Sequence, residues 1–138
     1  MTLSATRDLF DRWEQVWHDG CYDLIPGCLG LIYLRHDDLG DRSMPREDYA
    51  AELQSVHATR PGIRVAVYEH ALAPERAWFR FAFAWNDPDT GARQSRAGLQ
   101  LYRIEGGLIA ETWVVLRPPG SPWPDRQAQE RWTSPLAR

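Results

Sequence analysis

The sequence lacks the features that mark three large classes of protein. Its 16 basic residues, none of them lysine, are outnumbered by 19 acidic ones, and the net charge of −3 provides no basic surface that would favour nucleic acid. No apolar run approaches the roughly 20 residues that a membrane-spanning helix needs. Two cysteines, Cys21 and Cys28, are too few for a disulfide framework, and their spacing matches no common zinc site. We therefore do not expect a nucleic-acid-binding protein, a membrane protein or a protein stabilised by disulfide bonds.

Signals for export and for cofactors are also missing. The first residues, "MTLSATRDLF", do not read as a secretory signal peptide, and two reduced thiols fit a cytoplasmic protein. The sequence has no phosphate-binding glycine loop and no nucleophile elbow, and its four histidines are not spaced like metal ligands. We predict a cytoplasmic protein with no cofactor and no bound metal.

Hydrophobic periodicity predicts one α+β domain at residues 1–117, followed by an irregular, proline-rich tail at 118–138 that packs on it. Residues 5–19 place their apolar side chains on one helical face, and Gly20 ends this helix. "YDLIPGCL" predicts a short helical turn, "LGLIYLRH" a strand and "DDLGDRS" a loop. Ser43 and Pro45 predict the start of a second helix. The period then changes to two, which predicts four antiparallel strands with helices packed on one face of the sheet.

A family resemblance adds to this interpretation. The aromatic-x-x-His at the end of the first strand, "PGIRVAV" and "YRIEGGLIAETWVV" resemble the nuclear transport factor two-like superfamily over residues 5–116, and more narrowly its SnoaL-like polyketide cyclase group. The resemblance implies a curved antiparallel sheet wrapped around the N-terminal helices, forming a cone with an apolar pocket. It also implies a homodimer that binds an apolar, oxygenated small molecule.

The positions that carry catalysis in such proteins are mostly altered here. Where the cyclases have a catalytic His and Asp, this chain has Gln100 and Val114, and Trp13 stands near the first-helix tyrosine of ketosteroid isomerase. The isomerase's general base falls close to His36, which has the chemistry of a general base near neutral pH. By this comparison His36 is the candidate catalytic residue. Trp13, Trp17, His36, Gln100 and Thr112 are the candidate pocket residues.

Glu111 could face either side of the sheet, depending on the turn at Gly106-Gly107. A two-residue turn would pair residue 111 with 102 and turn Glu111 inward, whereas a three-residue turn would pair 112 with 100 and turn it outward. The resemblance favours the second, in which Glu111 is structural and has Arg103 as a diagonal neighbour.

The outer face of the sheet is predicted to form the homodimer interface. Trp78 and Trp113 would otherwise be exposed there, and Ala82 and Ala84 would let a second sheet approach closely. Two function classes stay open: a cofactor-independent lyase, isomerase or cyclase, and a non-catalytic small-molecule-binding or dimerisation module.

Overall fold

A computed structural model describes residues 1–134 of the 138-residue chain. The described residues form two α-helices, one short 3₁₀ helix and six strands. In chain order these are α1 (Leu3–Asp19), the 3₁₀ helix (Tyr22–Gly27), β1 (Leu29–Asp37), β2 (Gly40–Pro45), α2 (Arg46–Thr59), β3 (Arg64–Leu72), β4 (Arg76–Asn86), β5 (Arg93–Glu105) and β6 (Leu108–Leu116). No helix within residues 1–134 is both long and apolar enough to cross a membrane.

The six strands form one open sheet in the order β2-β1-β6-β5-β4-β3. The α+β class predicted from the sequence is confirmed, but the sheet is mixed, since β1 pairs with β6 in parallel and every other neighbouring pair is antiparallel. Strand β2 was missed because its residues are polar and follow turn-forming ones. Asp37 pairs with Gly40 across a two-residue turn, and Gly40 takes a φ of 100° that suits glycine.

Helix α1 supplies much of the core, as its sequence pattern predicts. Five of its apolar side chains are at most 6 % exposed, namely Leu9, Phe10, Trp13, Val16 and Trp17. Phe10 packs against Phe79 of β4 and Tyr102 of β5, with ring centroids 5.0 and 4.9 Å apart. Gly20 ends the helix in the left-handed conformation, with a φ of 66°. The predicted amphipathic face therefore packs against the inner face of the sheet.

His18 attaches the end of α1 to β3. Its Nε2 accepts a hydrogen bond from the Val65 backbone N–H at 3.0 Å, and its Nδ1 lies 3.7 Å from Oε2 of Glu14. Burial lowers the pKa of His18 to about 4. The ring is therefore neutral at physiological pH, as its role as an acceptor requires.

The segment after β6 packs back on the domain through two tryptophans. Trp123 donates its indole N–H to the Phe81 carbonyl at 2.8 Å, and Trp132 donates to the Val65 carbonyl at 2.8 Å. Trp132 is 4 % exposed and belongs to the hydrophobic core. The last four residues of the predicted tail, 135–138, lie outside the described residues.

The β5–β6 hairpin follows neither predicted register. A two-residue turn pairs Glu105 with Leu108, and a bulge at Ala110 then shifts the pairing, so that Gln100 lies opposite Val114 and Arg103 directly opposite Glu111. The shift restores the predicted faces: Val114 points to the core and Glu111 points outward. Glu111 accepts a hydrogen bond from Arg103 Nε at 3.0 Å, which supports its structural interpretation.

Candidate functional site

A cavity of about 320 Å³ opens between the inner face of the sheet, α2 and the end of α1. Its apolar walls come from Trp17, Val56, Phe83, Trp85, Val114 and Leu116. Its charged lining comes from Arg35, Asp37, Asp38, Glu52, Arg60 and Arg96. Small-molecule sites commonly combine an apolar cavity with a few converging polar groups, as this one does.

The innermost charge of the cavity is Arg35 of β1. Successive side chains of a strand alternate between its faces, so Tyr33 and Arg35 point inward together, and both are buried. Arg35 Nη1 donates to the Tyr33 hydroxyl at 3.2 Å, and that hydroxyl donates to Thr112 Oγ1 at 2.6 Å. These contacts hold the guanidinium in one orientation at the wall of the cavity.

Asp37 balances this buried charge. Its Oδ2 accepts from Arg35 Nε at 2.8 Å and from Arg42 Nη2 at 3.0 Å, while its Oδ1 accepts from the Leu39 N–H at 2.9 Å. Burial alone would raise the pKa of the Asp37 carboxyl, but the hydrogen bond and charge of Arg35 outweigh it, and the pKa is lowered. A carboxylate with both oxygens engaged and a lowered pKa is a weak proton acceptor.

Arg42 joins this cluster to α2, where it forms an ion pair with Glu52. One turn earlier, Tyr49 is 2 % exposed and lines the cavity. The Arg35 guanidinium carbon lies 5.0 Å from the centre of the Tyr49 ring, within cation–π range. Burial raises the pKa of the Tyr49 phenol, which therefore stays protonated. The hydroxyl makes no hydrogen bond to any of residues 1–134, although it is not sealed in the core.

The predicted pocket residues occupy different places. Trp17 lines the cavity. Trp13, Gln100 and Thr112 are buried in the core behind it: Gln100 accepts a hydrogen bond from the Tyr102 hydroxyl, and Thr112 accepts one from Tyr33. The side-chain oxygens of Gln100 and Thr112 are thus engaged within the protein, the Trp13 indole N–H has no hydrogen-bond partner among residues 1–134, and none of the three residues lines the cavity.

His36 lies on the outer face of the sheet, so its predicted place at the pocket mouth is wrong. The reason is strand alternation: with Tyr33 and Arg35 inward, His36 must point outward. Its ring stacks on Trp113 at a centroid distance of 5.3 Å, and its Nδ1 and Nε2 lie 2.7 Å from Asp41 Oδ1 and Glu111 Oε2. Hydrogen bonds to these two carboxylates raise the pKa of His36. The side chain therefore belongs to a surface ion cluster, and we do not propose it as a catalytic base.

Comparisons with solved structures identify the fold. A SnoaL-like polyketide cyclase from Agrobacterium tumefaciens superposes with a TM-score of 0.71 over 86% of this chain and 93% of that one, at 18% identity. An NTF2-like protein from Anabaena variabilis gives 0.70 over 86% and 91%, at 14% identity. The chain has the nuclear transport factor two-like fold. The resemblance drawn from the sequence is thereby confirmed at the level of fold, which SnoaL-like polyketide cyclases share.

A third neighbour has a bound small molecule. A protein of ketosteroid isomerase-like fold from Catenulispora acidiphila, solved in complex with trimethylamine, gives a TM-score of 0.68 over 80% of this chain and 85% of that one, at 13% identity. No family model and no curated protein matches the sequence. At these identities the likeness concerns the fold alone, so function has to be argued from the cavity.

Proposed function

We propose that this chain is a SnoaL-like pocket protein that binds a small apolar, oxygenated molecule in the cavity between the sheet and α2. The observation that carries the proposal is the cavity itself, in which aromatic and aliphatic walls surround the buried Arg35. The SnoaL-like cyclase and the trimethylamine-bound protein support it, because both share this fold. The two free thiols, Cys21 and Cys28, support a cytoplasmic location.

Binding without turnover is favoured by the state of the carboxylates. Asp37 and Glu52 are both ion-paired with arginine, so neither is free to remove a proton from a ligand. A cofactor-independent lyase, isomerase or cyclase is the second candidate, and Asp38 favours it. The Asp38 side chain is 60% exposed at the cavity and pairs only with Arg96, at 3.3 Å, among the described residues. If that activity exists, Asp38→Asn should abolish turnover while leaving ligand affinity within about twofold.

Filling the cavity tests the proposal. Val114 is 6 % exposed and lines the cavity, so a tryptophan there would occupy the space that a ligand needs. Leu31, 69 % exposed on β1 and away from the cavity, provides a matched control. With 2-naphthamide as a neutral aromatic probe, calorimetry should show binding to the wild type and to Leu31→Trp, and at least about tenfold weaker binding to Val114→Trp. Equal affinity in all three proteins would mean that the probe does not bind in the cavity.

We further propose that the outer face of the sheet forms a homodimer. Five apolar side chains are at least 36 % exposed there, an unusual concentration for a free surface: Trp78, Leu99, Leu101, Trp113 and Val115. Most of them line a groove of about 640 Å³ with little polar surface. Sedimentation should give a dimer at micromolar concentration and a monomer for Leu101→Glu. A wild-type monomer would disprove this interface.

A further inference from the structure

Two hydrogen-bond donors of the cavity have no acceptor among residues 1–134. The Tyr49 hydroxyl makes no hydrogen bond to residues 1–134, and neither does Nη2 of Arg35, whose Nε and Nη1 are engaged by Asp37 and Tyr33. Both side chains are more than nine-tenths buried, and both line the cavity. Both donor atoms also keep access to the cavity, since neither is among the sealed side-chain atoms that lack a hydrogen-bond partner. They can therefore donate to a water or a ligand in the cavity without giving up a partner among residues 1–134.

The charge around the cavity has the same implication. The lining contributes three arginines and three carboxylates, and Arg42 adds a fourth arginine by bridging Asp37 and Glu52 from behind. The lining itself therefore carries equal numbers of positive and negative charges, but Asp37 is shared between Arg35 and Arg42, so Arg35 has no carboxylate to itself. A ligand carboxylate at Arg35 would complete the neutralisation of this guanidinium in a partly desolvated site.

The geometry also limits how the ligand can be held. Asp37 and Tyr33 fix the Arg35 guanidinium, so little side-chain entropy is lost when its remaining N–H groups bind an acceptor. Tyr49 comes from α2, on another wall of the cavity, and its ring lies against the same guanidinium. Burial keeps its phenol protonated, so that it donates to an anion and does not repel it. Two donors from different elements thus lie close together at the charged wall.

We propose that Arg35 and Tyr49 form an anion subsite that recognises the carboxylate of an otherwise apolar ligand. This inference rests on the proposed function, because it names the ligand class of the same cavity. A planar guanidinium is suited to a carboxylate, and a charge-assisted hydrogen bond is roughly twice as strong as a neutral one. The apolar part of the ligand would lie against Trp17, Phe83 and Trp85.

Paired probes of equal shape test the subsite. 2-Naphthoate and 2-naphthamide differ in charge but hardly in size, and calorimetry at about pH 7.5 gives the affinity of each. The wild type should bind the naphthoate at least about tenfold more tightly. Tyr49→Phe should weaken the naphthoate by about tenfold, since one charge-assisted hydrogen bond is lost, and the naphthamide by clearly less. Tyr68→Phe, which removes a hydroxyl outside the cavity lining, is the matched control and should change neither affinity.

A second variant keeps the test independent of Tyr49. Arg35→Lys retains the charge but loses the planar fork, and it should reduce the preference for naphthoate while circular dichroism shows an intact fold. Equal wild-type affinity for the two probes, or a naphthoate affinity that Tyr49→Phe does not change, would overturn the subsite. The proposed function would survive that result if Val114→Trp still weakens naphthamide binding by at least about tenfold. No binding of either probe would overturn both.

Discussion

Acid should destabilise the fold through His18, and the size of the effect can be worked out from its surroundings. The ring accepts the Val65 N–H and has a pKa of about 4, whereas an unfolded histidine titrates near 6.5. Because the folded-state pKa is depressed, the unfolded chain binds more protons between these values. Stability is therefore complete above about pH 6.5 and is lost as the pH falls toward 4. The full difference of about 2.5 pKa units corresponds to roughly 3 kcal/mol, of which about 2 kcal/mol should be lost at pH 5.

Urea unfolding of the wild type and His18→Gln at about pH 7.5 and pH 5 measures this directly. Glutamine can still accept the Val65 N–H but does not titrate, so the variant should lose about 2 kcal/mol less than the wild type between the two pH values. Most other groups titrate alike in both proteins and cancel in the difference. Glu14, whose pKa burial raises and which lies 3.7 Å from His18, is an exception, and Glu14→Gln in both backgrounds removes its contribution. An equal loss of stability in the wild type and His18→Gln would show that the ring is not held neutral.

Two further predictions separate the outer face and the tail from the cavity. Glu111→Gln should lower the free energy of unfolding by at most about 1 kcal/mol near neutral pH, because its partners His36 and Arg103 are partly exposed. The substitution should leave the affinity for 2-naphthamide unchanged, and a large loss of binding would contradict the outward position of Glu111. Trp132→Ala should lower the free energy of unfolding by about 3–5 kcal/mol, because it removes a buried indole and its hydrogen bond to the Val65 carbonyl. In the same urea titration, the control Leu31→Ala, at an exposed position, should lower it by about 0.5 kcal/mol or less. A small effect of Trp132→Ala would mean that the tail is not part of the core.

The sequence predicted those parts of the fold that depend on the pattern of residues within a single segment. The apolar stripe of α1, its end at Gly20 and the alternation of Phe79, Phe81 and Phe83 each follow from one period of one segment. The parallel pairing of β1 with β6 could not be predicted in this way, because it joins residues 77 to 80 positions apart. The number of turn residues alone also could not predict the bulge at Ala110. The side chains of β6 nevertheless point to the predicted faces of the sheet.

The polar segment after β6 shows a second limit of prediction from sequence. Proline and polar residues predict irregular backbone, and the segment after β6 is irregular. They do not show that Trp132 reaches the core or that its backbone N–H donates to Glu14 at 3.1 Å. That contact depends on where the sheet and α1 place Glu14, which is a property of the assembled fold. Large aromatic residues in a polar segment were the only sign of this contact in the sequence.

The candidate site was misplaced by one residue, and the cause lies in strand parity. The resemblance directed attention to the end of β1 and so to His36, whose chemistry suits catalysis. Alternation along "YLRHD", however, allows either the set 33, 35, 37 or the set 34, 36 to face inward, and a buried aromatic residue is the better guide to which. Tyr33 is wholly buried, so Arg35 and Asp37 point into the cavity and His36 out of it. The chemistry of this cavity is therefore that of a guanidinium held by a carboxylate, which favours recognition of an anion over removal of a proton.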